Sequence, residues 1–136
     1  MADTTNIEAP LWTASQNNPD VTVNSGSAVI DSTVAGHNII DIGVDANYTL
    51  VDTGTRPREW QYCVIEMTDT GVVLSGAIDV IVPDNQRIYF FLNSTAQTLT
   101  VKTAAGTGIP VTIALPRTIL QCDGTNVVQW TTPITP

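Results

Sequence analysis

The stretch from Arg87 to Trp130 constrains the fold more than any other part of the chain. Short apolar runs alternate there with turn dipeptides, and helices of ordinary length do not fit between them. Strands are expected at 88–93, 98–103, 110–113, 117–122 and 126–130. In the second, Leu99 and Val101 fall on one face and Thr98, Thr100 and Lys102 on the other. Period-two alternation with β-branched residues is the signature of half-buried strands. The first run is the most apolar of the five. Ala104-Ala105-Gly106-Thr107-Gly108 supplies two glycines for a turn that needs positive φ. Asp123-Gly124 is a strong hairpin dipeptide. Taken alone, the stretch reads as a β-meander.

The rest of the chain carries the same punctuation. Short strands are expected at 21–23, 28–30, 38–42, 48–51, 72–74 and 77–82, with the longest at 59–67. In that longest one, Trp60, Tyr62 and Val64 would face one way, and Gln61, Cys63 and Ile65 the other. No window has a sustained helical apolar period with caps. Turn signals about every ten residues indicate an all-β sandwich or barrel. The expected fold is a β-sandwich, jelly-roll-like or Ig-like, of about ten short strands in two packed sheets. Residues 21–136 form its single domain, and 1–20 form an extended N-terminal arm broken by Pro10 and Pro19. Leu11 and Trp12 are the arm's candidate docking residues.

Composition supports this reading. Charged residues make up 13% of the chain, about half the usual share of a soluble domain. Threonine fills much of the gap, and it suits a strand's solvent face better than a helix interior. The formal net charge of −8 disfavours nucleic acid and anionic membranes as partners, because both need clustered lysine and arginine. MADTTNIEAP has neither the basic nor the apolar region of a secretory signal. Cys63 and Cys122 lie in separate expected strands; they can form a disulfide only if those strands are neighbours, and reduced core thiols are the better expectation. No Cys/His cluster suggests a metal.

Catalytic signals are weak. His37, the only histidine, has Asp31, Ser32 and Asp41 nearby but no nucleophile motif, and is expected in a solvated turn. The pairs among Asp41, Asp45 and Asp52, or Asp79 and Asp84, have no glycosidase or calcium-loop pattern and read as turn caps. The 104–108 turn has no following Lys-Ser/Thr and no helix, so it is no phosphate cradle. Trp12, Trp60 and Trp130 would serve a glycan-binding or glycan-hydrolysing module only if exposed; core or interface positions are the better expectation. Arg56-Pro57-Arg58 concentrates two of the five bases in one loop. Both arginines are candidate partner contacts, against the alternative of local pairing with Asp52 and Glu59. No catalytic residue, cofactor or metal is expected, and the chain does not read as an enzyme.

Leu99-Thr100-Val101-Lys102-Thr103-Ala104-Ala105-Gly106-Thr107-Gly108, then Leu120-Gln121-Cys122 and Asp123-Gly124-Thr125-Asn126-Val127-Val128, resemble a module found in virion proteins of tailed bacteriophages. The resemblance spans about Ile88 to Trp130. Pro110 and Pro116 depart from the pattern, because an ordinary glycine- or alanine-bearing loop is common between them. The resemblance implies a structural protein of the virion. A small acidic β-domain looks most like a capsid decoration, or cement, protein: a homotrimer on the outer capsid surface, bound to the major capsid protein, stabilising contacts between capsomers and assembled in the host cytoplasm. A small tail or tail-fibre component, as adaptor or receptor-contacting domain, is the alternative.

Overall fold

The structure is a computed structural model that describes residues 19–114 and 116–130. A helix, α1 (Pro19–Ala35), is followed by nine strands: β1 (His37–Asp41), β2 (Tyr48–Thr49), β3 (Val64–Thr68), β4 (Ile78–Val82), β5 (Arg87–Asn93), β6 (Leu99–Thr103), β7 (Gly108–Val111), β8 (Arg117–Cys122) and β9 (Val127–Gln129). One turn of 3-10 helix, Glu59–Gln61, precedes β3. The strands form a five-stranded sheet, ordered β1-β3-β5-β8-β9, and a four-stranded sheet, ordered β2-β4-β6-β7. The two-sheet, mostly β architecture is the one the turn spacing calls for.

The connections differ from those of jelly-roll and Ig-like sandwiches, which are antiparallel. Here β1, β3 and β5 run parallel, and so do β2, β4 and β6. Parallel neighbours need a long crossover, usually a helix. In this chain each crossover is a strand of the opposite sheet. The chain therefore circles between the sheets, stacking His37 on Val64 on Phe90 in one and Tyr48 on Val80 on Val101 in the other. After β6 it reverses: β7 pairs antiparallel with β6, β8 with β5, and β9 with β8. The five strands of 87–130 are thus divided between two sheets and do not form a meander. Their limits fall within two residues of those expected, because the turn chemistry marking them is local.

The first half is less as expected. The runs at 21–23 and 28–30 lie in α1, and 72–74 is not a strand. Of 59–67, the start is the 3-10 turn and β3 begins at Val64. Proline at the opening position of α1 has its φ preset for a helix. The remaining Val, Thr, Asn, Ser and Gly are weak helix formers, so packing decides the matter. Gly26, Val29 and Ser32 are buried along one stripe. Thr33 Oγ1 donates to the Gln61 carbonyl at 3.0 Å. The Ser32 carbonyl accepts from the amides of Gly36 and Cys63, satisfying the helix C-terminus. The arm expected at 1–20 lies outside the described residues except for Pro19 and Asp20, which open the helix.

Between the sheets lies one core. Ile65, Met67, Tyr89, Phe91 and Leu120 enter it from the five-stranded sheet, and Val80, Leu99 and Val101 from the four-stranded sheet. All eight are fully buried. Asn93, at the end of β5, is buried and saturated with hydrogen bonds. Its Nδ2 donates to the carbonyls of Gln97 and Val111, and its Oδ1 accepts from the amide and hydroxyl of Thr95.

The two turns that carry the resemblance form a single unit. The Thr103 hydroxyl donates to the Thr125 carbonyl and accepts from the Gly106 amide. Asn126 Oδ1 accepts from the amide and hydroxyl of Thr107, and the Val127 amide donates to the Thr107 carbonyl. The β6–β7 and β8–β9 hairpin tips are thereby joined across the sandwich. Gly124 has φ +99°, the conformation expected for the Asp-Gly pair. Gly106 is needed for a different reason from the one anticipated. Its φ is not positive, but a Cβ would lie 1.9 Å from the Thr125 carbonyl oxygen. Gly106→Ala should therefore push the two tips apart and cost about 3 kcal/mol, read as a lower urea midpoint. Gly76→Ala, where nothing lies within 4 Å, should leave the midpoint almost unchanged.

Asp123 Oδ1 accepts from the amides of Asn126 and Thr125 at 2.7 and 2.8 Å. These bonds, Asn126's first, hold its carboxyl below the usual aspartate range. Asp45 is likewise lowered by hydrogen bonds from Ser75. A lowered folded-state pKa adds stability above the unfolded value, near 3.9 for Asp, and that stability is lost as pH falls through the folded value. Urea midpoints should accordingly fall below about pH 4, and Asp123→Asn should flatten that fall.

Candidate protein-docking face

The two sheets present different faces to solvent. Strand residues that share a register row point to the same side. On the outer face of the four-stranded sheet, Asp79 and Thr100 share a row with Pro110, and Ile81 pairs with Lys102. Lys102 Nζ lies 3.9 Å from Asp79 Oδ2. This is a predominantly polar surface.

The outer face of the five-stranded sheet is mainly apolar. One row runs His37, Val64, Phe90, Ile119. Trp130 continues it, its amide donating to the Ile119 carbonyl and its indole Nε1 to Gln121 Oε1. The next runs Ile39, Glu66, Leu92, Arg117, and a third Ile88, Gln121, Val128. Phe90 is 44% exposed, Ile39 63% and Trp130 62%. Side chains on adjacent strands stand about 5 Å apart, so these residues form one patch, of the kind that marks protein contact sites. Glu66 accepts from Ser94 Oγ at 2.7 Å and lies 3.0 Å from His37 Nε2. Arg117 is exposed and has no ion pair among the described residues. The sequence carries one signal of this face. Arg87–Asn93, RIYFFLN, is apolar almost without alternation, the pattern of a strand covered on both sides.

Of the anticipated contact residues, Leu11 and Trp12 lie outside the described residues. Arg56 and Arg58 sit in the loop before the 3-10 turn, half-buried. Arg58 Nη1 pairs with Asp52 Oδ1 at 3.2 Å, the local pairing weighed for it. Glu59 does not join that pair. Its carboxylate accepts from Tyr48 Oη and from the Val51 amide. Burial and this carboxylate push the Tyr48 phenol up to about 12.

Trp60 is fully buried and belongs to the core; its Nε1 donates to Asp52 Oδ1 at 2.8 Å. The Arg87 guanidinium lies 5.4 Å from the Trp60 ring centre and 4.8 Å from that of Tyr89. Its Nη2 donates to the Tyr62 carbonyl. Burial lowers the Arg87 pKa, while the two ring faces favour the cation.

His37 starts β1 and is not in a turn. Ser32 is buried in α1, and Asp41 accepts from the Gly71 amide. Cys63 and Cys122 are both free thiols. No group of three or more metal-ligating side chains occurs among the described residues. A cleft of about 480 Å³ is lined by Leu50, Asp52, Val82, Asp84, Thr103 and Thr125, among others. No helix of the described residues is long and apolar enough to cross a membrane.

No protein-family model, curated protein or solved structure matches this chain.

Asp52 is the acceptor on which the loop closes. Asp52→Ala would leave the buried Trp60 N–H without a partner, at a cost of about 2 kcal/mol. Asp52→Asn keeps an oxygen there and should retain most of the stability. Urea denaturation of both variants checks this.

Proposed function

We propose that the protein is a structural component of a phage virion, a capsid decoration or cement protein. It binds the outer shell and stabilises contacts between capsomers. The observation that carries this reading is the exposed apolar face of the five-stranded sheet, backed by a packed core. Such a surface suits association with protein. The virion-module resemblance of Leu99–Gly108 and Leu120–Val128 supports it, since these segments contain the interlocked turns.

In this reading the sandwich is the rigid body and copies associate in a closed ring, three being the number the resemblance implies. Closed cyclic symmetry is the usual solution for such assemblies. Residues 1–20, through Leu11 and Trp12, and the Arg56 loop reach the major capsid protein. Tying neighbouring capsomers together stabilises the shell by mass action and multivalency.

Densitometry of purified particles tests the assignment. A decoration protein is present in many copies per particle and stays with tailless heads. A handful of copies, lost with the tails, would instead establish the tail or fibre reading. Deleting residues 1–15 should weaken shell binding at least about tenfold, while the circular dichroism spectrum of the domain is unchanged.

A further inference from the structure

We infer that the outer face of the five-stranded sheet is where copies of this chain meet one another, around an axis parallel to β5. The inference deepens the docking reading above and rests on that face being a protein contact. Its basis is the row Ile39–Glu66–Leu92–Arg117. Glu66 and Arg117 stand one strand to either side of Leu92. Their strands are about 10 Å apart across the sheet, and within one copy Glu66 is engaged by His37 and Ser94 and does not pair with Arg117. Rotation about an axis along β5 brings the β3 side of one sheet against the β8 side of the next. Glu66 of one copy then faces Arg117 of its neighbour, and each Arg117 gains a carboxylate partner, of which it has none among the described residues. Two-fold and three-fold axes produce the same pairing. Leu92 and Phe90 lie nearest the axis and are covered by their counterparts.

The charge distribution favours a second copy over a different protein. With a net charge of −8, copies repel one another through most of their surface. On this face the acids Asp41 and Glu66 stand to one side and Arg117 to the other, and the centre is apolar, so a rotated copy brings opposite charges together. A basic partner would be drawn to the acidic remainder and repelled by Arg117. The size is also consistent. Five strands at about 4.8 Å spacing, with outward residues over about 16 Å of strand, give a footprint of roughly 400 Å² per copy. That is about 800 Å² in total, below the range of stable interfaces and in that of weak, transient ones, so association is reversible and depends on concentration.

Sedimentation equilibrium of the full chain, over a wide concentration range, tests this. The wild-type chain should associate. Phe90→Asp and, at the sheet edge, Ile39→Lys should each weaken association at least about tenfold, with thermal unfolding confirming that at least one remains folded. Glu66→Arg and Arg117→Glu should each weaken association when alone. The double variant Glu66→Arg/Arg117→Glu should restore it, because every interface of a two-fold or three-fold ring then pairs opposite charges. The inference is overturned if the wild-type chain stays monomeric throughout, if both apolar-face variants assemble normally, or if the double variant does not recover. A monomeric wild type whose shell binding is lost in Phe90→Asp would overturn this inference and leave the docking reading standing. Self-association without any shell binding would do the reverse.

Discussion

Every parallel pair in this protein is joined through a strand of the opposite sheet, and the rest of the structure depends on that. A strand crossover can bury only one face of the sheet it crosses, whereas helical crossovers cover both faces in doubly wound folds. The inner faces therefore share one core built from all the circuits. Each outer face is left to its own residues. One is polar and meets water. The other is apolar and is left without a covering layer among the described residues. The asymmetry that suggests a function thus follows from the way the chain is connected.

The reversal after β6 closes this arrangement. Adding β7 to one sheet and β8 and β9 to the other gives each sheet a hairpin whose tip lies at the Thr103 and Cys122 end. The two hairpin tips then meet, and Thr103, Gly106, Thr107, Thr125 and Asn126 bond across the gap. The sandwich is held at that end by polar contacts between loops as well as by the core. Buried Asn93 does similar work at the other end of β5, where it ties β5 to the carbonyl of Val111 on β7. The two sheets are thereby tied together at both ends by polar contacts.

Much of the element list was legible because turns and strands are written locally. Asp123-Gly124, the alternation of Leu99 to Thr103, and the apolar run of β5 each announce themselves within a few residues. The helix was not legible. Its residues favour strands, and it is held in place by contacts with Gln61 and Cys63, far along the chain. The parallel pairing was equally hidden, since register partners such as His37, Val64 and Phe90 share no sequence pattern. Among the contact residues, Arg58 pairs locally with Asp52, the alternative weighed for it in the sequence. The outer face went unrecognised although β5 carried its signal, because a run apolar on both sides is equally consistent with two buried faces.

The sequence by itself determined that the chain would be mostly β, where its later strands and turns fall, and that its surface would be acidic and poor in charge. These depend on composition and on interactions within a few residues. Only the tertiary structure decided that the strands circle between two sheets, that Gly106 serves close approach and not positive φ, and that Phe90, Leu92, Ile39 and Trp130 share one face with Glu66 and Arg117 on either side. Those are long-range pairings. They depend on which strands lie side by side, and no local preference in this chain specifies that.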